Sequence, residues 1–430
     1  MKRPLYGWLA SEAISITGTR VSMVALPFLV LTTTGSPQKT GLVALAEMAP
    51  LVVMKVLGGP VIDRVGARRV SITCDVASVL VVGAIPLLYA ADRLPFLAFL
   101  GLVAVAGGLR GPGDAAKTAL TPALVAEAGV PMERATGLHS TVERTASMLG
   151  AAFAGGLVAV IGPANALIVD ALSFGVSAAV LAWATRPLVR RSPAGPTRPA
   201  PDPSSQPEDE PYLRQLKEGW AFLSSDRLLV GITVMVTLTN LLDMAWVAVL
   251  VPVWGVESGG GAAAIGLVFA AFSGASAVGA ICASAWAASV PRYATYLVAF
   301  LVCGAPRFVV MAFDSPVWAV IVVIIAGGFM AGFLNPILGA VIFERIPEPL
   351  VGRVTSLTTA CCFALVPFGG LLGGILVGSY GLSVAMLACG AVYLAVTMLP
   401  AVDPRWREID HRPRPVVEPE PGQREKVAAS

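Results

Sequence analysis

Apolar residues in this chain of 430 come in runs of about twenty, twelve of them in succession, separated by short polar breaks. A helix rises 1.5 Å per residue, so each run can cross ~30 Å of hydrocarbon. No water reaches that depth to satisfy backbone amides, which leaves a self-satisfied helix as the form each run must take. The runs fall near residues 5–31, 41–60, 70–90, 95–117, 137–161 and 164–185, then 229–254, 262–287, 294–313, 316–343, 355–378 and 381–402. We number them spans one to twelve.

Composition agrees: 56% of residues are hydrophobic and 13% charged, against about a quarter charged in soluble proteins. A soluble enzyme and a disordered chain are excluded on that ground. A net charge of +3 offers no basic face to nucleic acid. The first apolar run is too long for the hydrophobic core of a signal peptide and is expected to stay as span one. Six cysteines lie inside apolar runs, with no CxxC and no Cys/His cluster. They read as small buried hydrophobes rather than disulfide or metal ligands.

Charge sets the topology. Of the 30 basic residues only Lys39 and Arg93 fall in the loops after odd-numbered spans. The opposite loops and both ends hold Lys2, Arg3, Arg64, Arg68, Arg69, Arg134, Arg186, Arg292, Arg345, Arg353 and more. The positive-inside rule puts both termini in the cytoplasm, with the plasma membrane as the expected location. Between spans six and seven, Arg191 to Pro211 is rich in Pro, Ser and charge and reads as a disordered linker. From Tyr212 to Leu229, Leu213, Leu216, Trp220, Phe222 and Leu223 recur at helical spacing among charges, as in an interfacial helix. The expected units are therefore 1–185, a linker over 186–228, a second bundle over 229–402 and a disordered tail over 403–430.

The two halves share a segment. Arg134, Thr136 and Leu138 with Gly150 and Gly155 recur 219 positions later as Arg353, Thr355 and Leu357 with Gly369 and Gly374. Together with twelve spans and two halves of similar length, that repeat points to two six-helix bundles joined by a long cytoplasmic linker and rocking about a central cavity.

The loop after span two reads Gly59-Pro-Val-Ile-Asp63-Arg64-Val-Gly66-Ala67-Arg68-Arg69. Gly66 permits a left-handed bend, Asp63 can cap a helix start, and Arg68 and Arg69 suit an anionic lipid surface. This pattern resembles the loop two-three signature of the major facilitator superfamily. The resemblance implies that Gly59, Asp63, Arg64, Gly66 and Arg68 latch the two bundles together in the outward-open state. One position departs, since Ala67 stands where the family usually has a basic residue. Span five carries Gly150-Ala151-Ala-Phe-Ala154-Gly155 and span eleven Gly369-Gly370-Leu-Leu-Gly373-Gly374. Small residues at this spacing let helix backbones meet. The segments resemble the span-five signature of the family's antiporters, with Ala151 and Gly370 in place of its proline. Ala25-Leu26-Pro27, Lys217-Glu218-Gly219-Trp220, Asn335-Pro336 and Gly352-Arg353-Val354 are similar to the twelve-span drug:proton antiporter branch that includes macrolide-efflux-like proteins. The resemblance implies the major facilitator fold.

Ionisable groups inside spans cost ~2.5–3.5 kcal/mol each at the bilayer centre, so those retained are candidates for function. Lys55 and Lys117 lie near span ends and are expected to snorkel. Asp114 is placed to pair with Arg110 one turn earlier. The deeper set is Glu12, Arg20, Glu47, Glu143, Arg144, Asp170, Asp243 and Arg307. In the family, spans one, four, seven and ten line the cavity, which implies Glu12, Arg20, Arg110, Asn240, Asp243 and Asn335 as its lining. A carboxylate in a low-dielectric cavity can take up and release a proton during a cycle. Asp243 is the first choice for that role and Glu12 the second, with Glu47 and Asp170 behind. The competing reading for Asp243 is a fixed ion pair with Arg20 or Arg110. His139 reads as a satisfied polar residue.

The expected function is proton-coupled export of lipophilic or cationic small molecules by alternating access. A metabolite importer on the same fold and a non-transporting membrane sensor are the alternatives. An enzyme is disfavoured, since no HExxH, GxSxG or phosphate-binding GxxxxGK(S/T) occurs. The expected partners are a small-molecule substrate, protons and the lipid bilayer, with no cofactor, no metal and no second subunit.

Overall fold

A computed structural model describes residues 3–186, 212–286, 291–313, 315–347 and 350–410. All its regular elements are helices, and the described residues contain no strand. Span one is Arg3–Thr34, span three Ala67–Ala90, span five Met132–Ile161, span six Pro163–Ala184, span eight Gly261–Trp286, span ten Val317–Arg345 and span twelve Leu382–Val402. The other five are each built from shorter pieces. Span two runs Pro37–Leu57 and, after a bend of 57°, Gly59–Val65. Span four is Phe96–Ala119, continued by Thr121–Ala128. Span seven is Arg227–Ala245, a π-helical turn at Trp246–Leu250, then Val251–Glu257. Span nine is Arg292–Cys303 with Ala305–Ala312, and span eleven Val351–Ala364 with Val366–Tyr380. Proline explains most of these breaks. Pro60, Pro122, Pro252, Pro306 and Pro367 each sit at the first or second position of the following piece, where a missing N–H costs nothing. With the bent pair counted as one, the described residues contain twelve helical segments long and apolar enough to cross a membrane.

Within the first half, span one packs on spans five and six, span two on four, and span three on four and six. In the second half, span ten packs on eight and nine, span seven on eleven, and span nine on twelve. Two large contacts join the halves, span two against eleven and span five against eight, with smaller ones from span one to spans seven and eight and from span two to span seven. Both large ones need glycine. A Cβ on Gly155 would lie 2.5 Å from the Gly266 Cα, and one on Gly374 would lie 2.6 Å from the Pro37 carbonyl oxygen. These contacts lie where spans five and eleven end and spans two and eight begin, on the side away from the termini. The bundles are sealed on that far side.

On the terminus side a helix, Tyr212–Ser225, precedes span seven. It is docked rather than free: Arg353 Nη1 donates to Glu218 Oε2 at 2.7 Å, and Leu223 is buried with Leu229, Ile346 and Val354. The expected linker from Arg191 to Pro211 lies outside the described residues. The tail expected to be disordered from residue 403 instead begins with a folded piece, a 3-10 helix over Pro404–Asp410. Its Trp406 and Ile409 are buried in the main core beside Tyr296, which explains the order: two large apolar groups leave water.

Candidate functional site

Span seven brings Asp243 to the floor of the space between the bundles, one residue pair before its π turn. Such a turn adds one residue to the local register and recurs at functional sites. Span nine breaks at Gly304, and Arg307 stands in the first turn of the piece that follows. A Cβ on Gly304 would lie 2.8 Å from the Tyr393 ring, so the break also admits that ring beside the guanidinium. Arg307 Nη2 donates to Asp243 Oδ1. The guanidinium lies 4.9 Å from the Trp246 and Phe308 rings and 5.1 Å from Tyr393. Its side chain is 5% exposed, whereas Asp243 keeps 38% of its surface open to the cavity. The partner expected for Asp243 was Arg20 or Arg110; it is Arg307. Spans one and four face it from across the cavity, while span nine packs beside span seven's own bundle.

Three connected hollows make up this space. One of about 270 Å³ is walled by Glu12, Arg20, Arg110, Asp114, His139 and Glu143. A second of about 300 Å³ runs between Glu143, Arg144 and Ser147 on span five and Phe272, Ser276 and Asn335 on spans eight and ten. A third of about 260 Å³ reaches Asp243, Trp246, Phe269 and Arg307. Glu143 and Ser147 belong to the first two, Arg20 to the first and third, Phe272 to the second and third. The cavity thus has a polar, charged wall from the first bundle and a largely aromatic floor from the second.

Of the residues expected at the site, Glu12, Arg20, Arg110, Asp243 and Asn335 meet here. The rest do not. Arg110 Nη1 donates to Glu47 Oε1 at 2.8 Å instead of pairing with Asp114. Glu47 comes from span two, which packs closely on span four, and it reaches the guanidinium across that interface. Asp170 is buried inside the first bundle, accepting from the Ser22 hydroxyl behind Arg110. Asn240 Nδ2 donates to the Cys362 carbonyl at 3.0 Å and ties span seven to span eleven. Lys117 does not snorkel. It is 1% exposed, with Nζ 3.2 Å from Asp75 Oδ2 and 3.0 Å from Ser15 Oγ. Span four continues past it to Ala128, so the ammonium sits well inside the protein and takes its counter-charge from span three. His139 stacks on Trp8 with ring centroids 4.9 Å apart.

The latch that the resemblance implies belongs to the outward-open state; with the far side sealed, the loop two-three residues engage their own bundle. Asp63 and Arg64 are exposed, and Gly66, at φ +92°, precedes span three with no side-chain cap. Arg68 Nε donates to Thr185 Oγ1 at 2.8 Å and Nη2 to the Ala182 carbonyl at 3.0 Å, both on span six of the same bundle. Gly59 meets no other atom closely. On the terminus side the bundles stand apart, which leaves these residues without a partner across the gap. Gly150 lies against Thr17 and Arg20 of span one, while Gly369 and Gly373 lie against span seven. Arg307, Glu143 and the aromatic floor are site residues that the four-span rule passes over. The first two were visible in the sequence as deep charges; the rings carried no signal beyond being apolar.

The family model described as Major Facilitator Superfamily matches residues 9–245 and 233–429. The multidrug efflux pump Tap of Mycobacterium tuberculosis is 29% identical over 414 residues, covering 96% of both chains. The enterobactin exporter EntS of Citrobacter koseri is 28% identical over 390 residues, 88% of this chain and 85% of its own. Among solved structures, the nucleoside transporter NupG superposes with a TM-score of 0.72 at 12% identity, over 92% of this chain and 98% of its own.

Proposed function

The chain belongs to the major facilitator superfamily of membrane transporters, and from that premise we propose that it is a proton-coupled exporter of lipophilic small molecules, cationic ones included. It works by alternating access as a monomer in the plasma membrane, with both termini cytoplasmic. The observation that carries this reading is the Asp243–Arg307 pair at the floor of the central cavity. Asp243 neutralises a guanidinium that is otherwise enclosed by rings. A proton arriving on Asp243 removes that neutralisation and makes the closed pair costly. A pair that holds in one state and breaks in the other couples proton movement to bundle movement. Glu12, buried on the opposite wall, is the second candidate for that role, beside Asp114 and Glu143 on the same hollow.

Similarity to a multidrug efflux pump over 96% of both chains supports export over import. The wealth of basic residues on the terminus side supports the topology, and then the cavity opens to the cytoplasm, where an exporter collects its cargo. Purified protein in liposomes with an imposed proton gradient tests the proposal. Ethidium is expected to move against its gradient, and Asp243→Asn to reduce gradient-driven flux at least tenfold. Full gradient-driven flux in Asp243→Asn removes Asp243 from the coupling role.

A further inference from the structure

Three cations near the central cavity have a carboxylate within contact. Arg110 has Glu47 at 2.8 Å, Lys117 has Asp75 at 3.2 Å, and Arg307 has Asp243. Lys55 and Arg144 are exposed and are solvated by water. Arg20 differs from both groups. It is withdrawn from bulk solvent, and its polar contacts are with neutral atoms: Nη2 donates to Ser147 Oγ at 2.9 Å and Nη1 contacts Met23 Sδ at 3.3 Å. Its Nε is buried with no partner at all. Among the described residues no acidic group lies within ion-pair distance of it; Glu143 shares the cavity wall without touching it. The side chain is nonetheless held in place. Gly150 on span five leaves just the space its stem needs, since a Cβ there would stand 3.2 Å from Arg20 Cγ. A fixed guanidinium in a low-dielectric site with spare donors is half of a charge-assisted, bidentate contact.

Arg20 also stands where the polar hollow joins the aromatic one. Within that third hollow it is accompanied by Met23, Trp246, Val247, Phe269 and Phe272. We propose that Arg20 is an oxyanion-binding subsite of the transport cavity, and that its cargoes include amphiphiles carrying a carboxylate head on an aromatic or lipophilic body. The head docks on the free face of the Arg20 guanidinium and the body lies along the Phe269–Phe272 wall. In a zwitterion, the ammonium faces Glu143 across the first hollow. Arg307 cannot serve in place of Arg20, because Asp243 and four surrounding rings already occupy it. The proposal rests on the exporter reading and adds carboxylate-bearing amphiphiles to its substrate class.

The test compares a fluoroquinolone carboxylate with its methyl ester and with ethidium in the liposome assay, in wild type, Arg20→Gln and Arg20→Lys. In wild type the acid is expected to be transported. In Arg20→Gln the ratio of acid to ester flux is expected to fall about tenfold, ~1.4 kcal/mol, through KM rather than kcat. Arg20→Lys keeps the charge and is expected to recover part of that ratio. Quenching of fluorescence by the acid and by the ester, in a background whose other seven tryptophans are replaced by phenylalanine so that Trp246 alone emits, gives the same comparison at equilibrium, without needing turnover. Equal losses for acid and ester in Arg20→Gln make Arg20 a structural residue and overturn the subsite. Wild-type transport of ethidium without transport of the acid also overturns it while leaving the exporter reading intact. Failure of all three cargoes overturns both.

Discussion

Lys117 has an environment that its place in the chain does not announce. A lysine near the end of an apolar run is ordinarily an anchor, its ammonium in the headgroups. Here spans one, three and six enclose it, and Ser177 Oγ bonds both to Ser11 and to the Asp75 carboxylate that the ammonium faces. Removing one charge leaves the other buried alone, at a cost of about 3–5 kcal/mol, whereas removing both is close to neutral. Lys117→Met is therefore expected to lower the thermal midpoint of the detergent-solubilised protein sharply, and Lys117→Met with Asp75→Leu to restore most of it. Additive losses in the double variant exclude a coupled pair. The same contrast governs how much of the site was legible at this scale. Deep charges announce themselves by composition, so Asp243, Arg307, Glu12 and Arg20 were all visible. Their partners were not, because hydropathy gives depth along a helix and says nothing of its rotation. Arg307 could be found in the sequence, but its pairing with Asp243 depends on the break at Gly304.

At the scale of elements, the interfacial helix and the repeated segment of span eleven turn out to touch: Glu218 on the docked helix meets Arg353 at the start of that span. No spacing rule links positions so far apart; only the packed bundle does. Asp226 makes a similar junction. Its Oδ1 caps span seven by accepting from the Leu228 and Leu229 amides at 2.9 and 3.2 Å, and Arg345 Nε from span ten donates to Oδ2 at 2.8 Å. Arg345 also holds Glu408, so the cap, span ten and the folded tail piece form one cluster outside the apolar segments. Partial burial alone pushes the Asp226 carboxyl up, but the Arg345 contact and the two amides outweigh it and hold the group below the usual aspartate range. A carboxyl lowered on folding stabilises fully above its unfolded pKa, about 4, and loses that contribution as pH falls through its folded value. Asp226→Ala is thus expected to cost about 1 kcal/mol near neutral pH, with the gap in thermal midpoint closing as pH falls below about 4. A gap that widens on acidification contradicts the assignment. The twelve spans themselves were legible because length and apolarity suffice to define them, whereas the tail piece was missed because two buried residues in a charged stretch leave hydropathy unmoved.

On the scale of the whole molecule, the cavity opens toward the termini because the bundles meet on the far side through helices that cross at glycines. Gly155 and Gly266 face each other there, and Gly374 faces Pro37 and Gly41. The repeat in the sequence pointed to both glycine pairs as packing positions, yet it could not say which helix each meets: Gly150, five residues from Gly155, packs inside its own bundle. A transporter that alternates must break the far seal with each cycle, so the seal can be only a few kcal/mol better than its absence. Gly155→Val adds atoms where none fit; overpacking of this kind costs about 1–3 kcal/mol, and the cost falls on the sealed state alone. The population is then expected to shift toward the far-open state by roughly tenfold or more. Ala262, beside Gly155 and 2% exposed, reports the far side, and Ser276, at the terminus-side hollow, reports the other. In a background lacking the six native cysteines, Ala262→Cys is expected to react slowly with an impermeant maleimide added outside cells, and much faster when Gly155→Val is present. Ser276→Cys, labelled in inside-out vesicles, is expected to change in the opposite sense. If both sites gain reactivity together, the valine has loosened the protein as a whole, and the glycine contact is packing without being the seal.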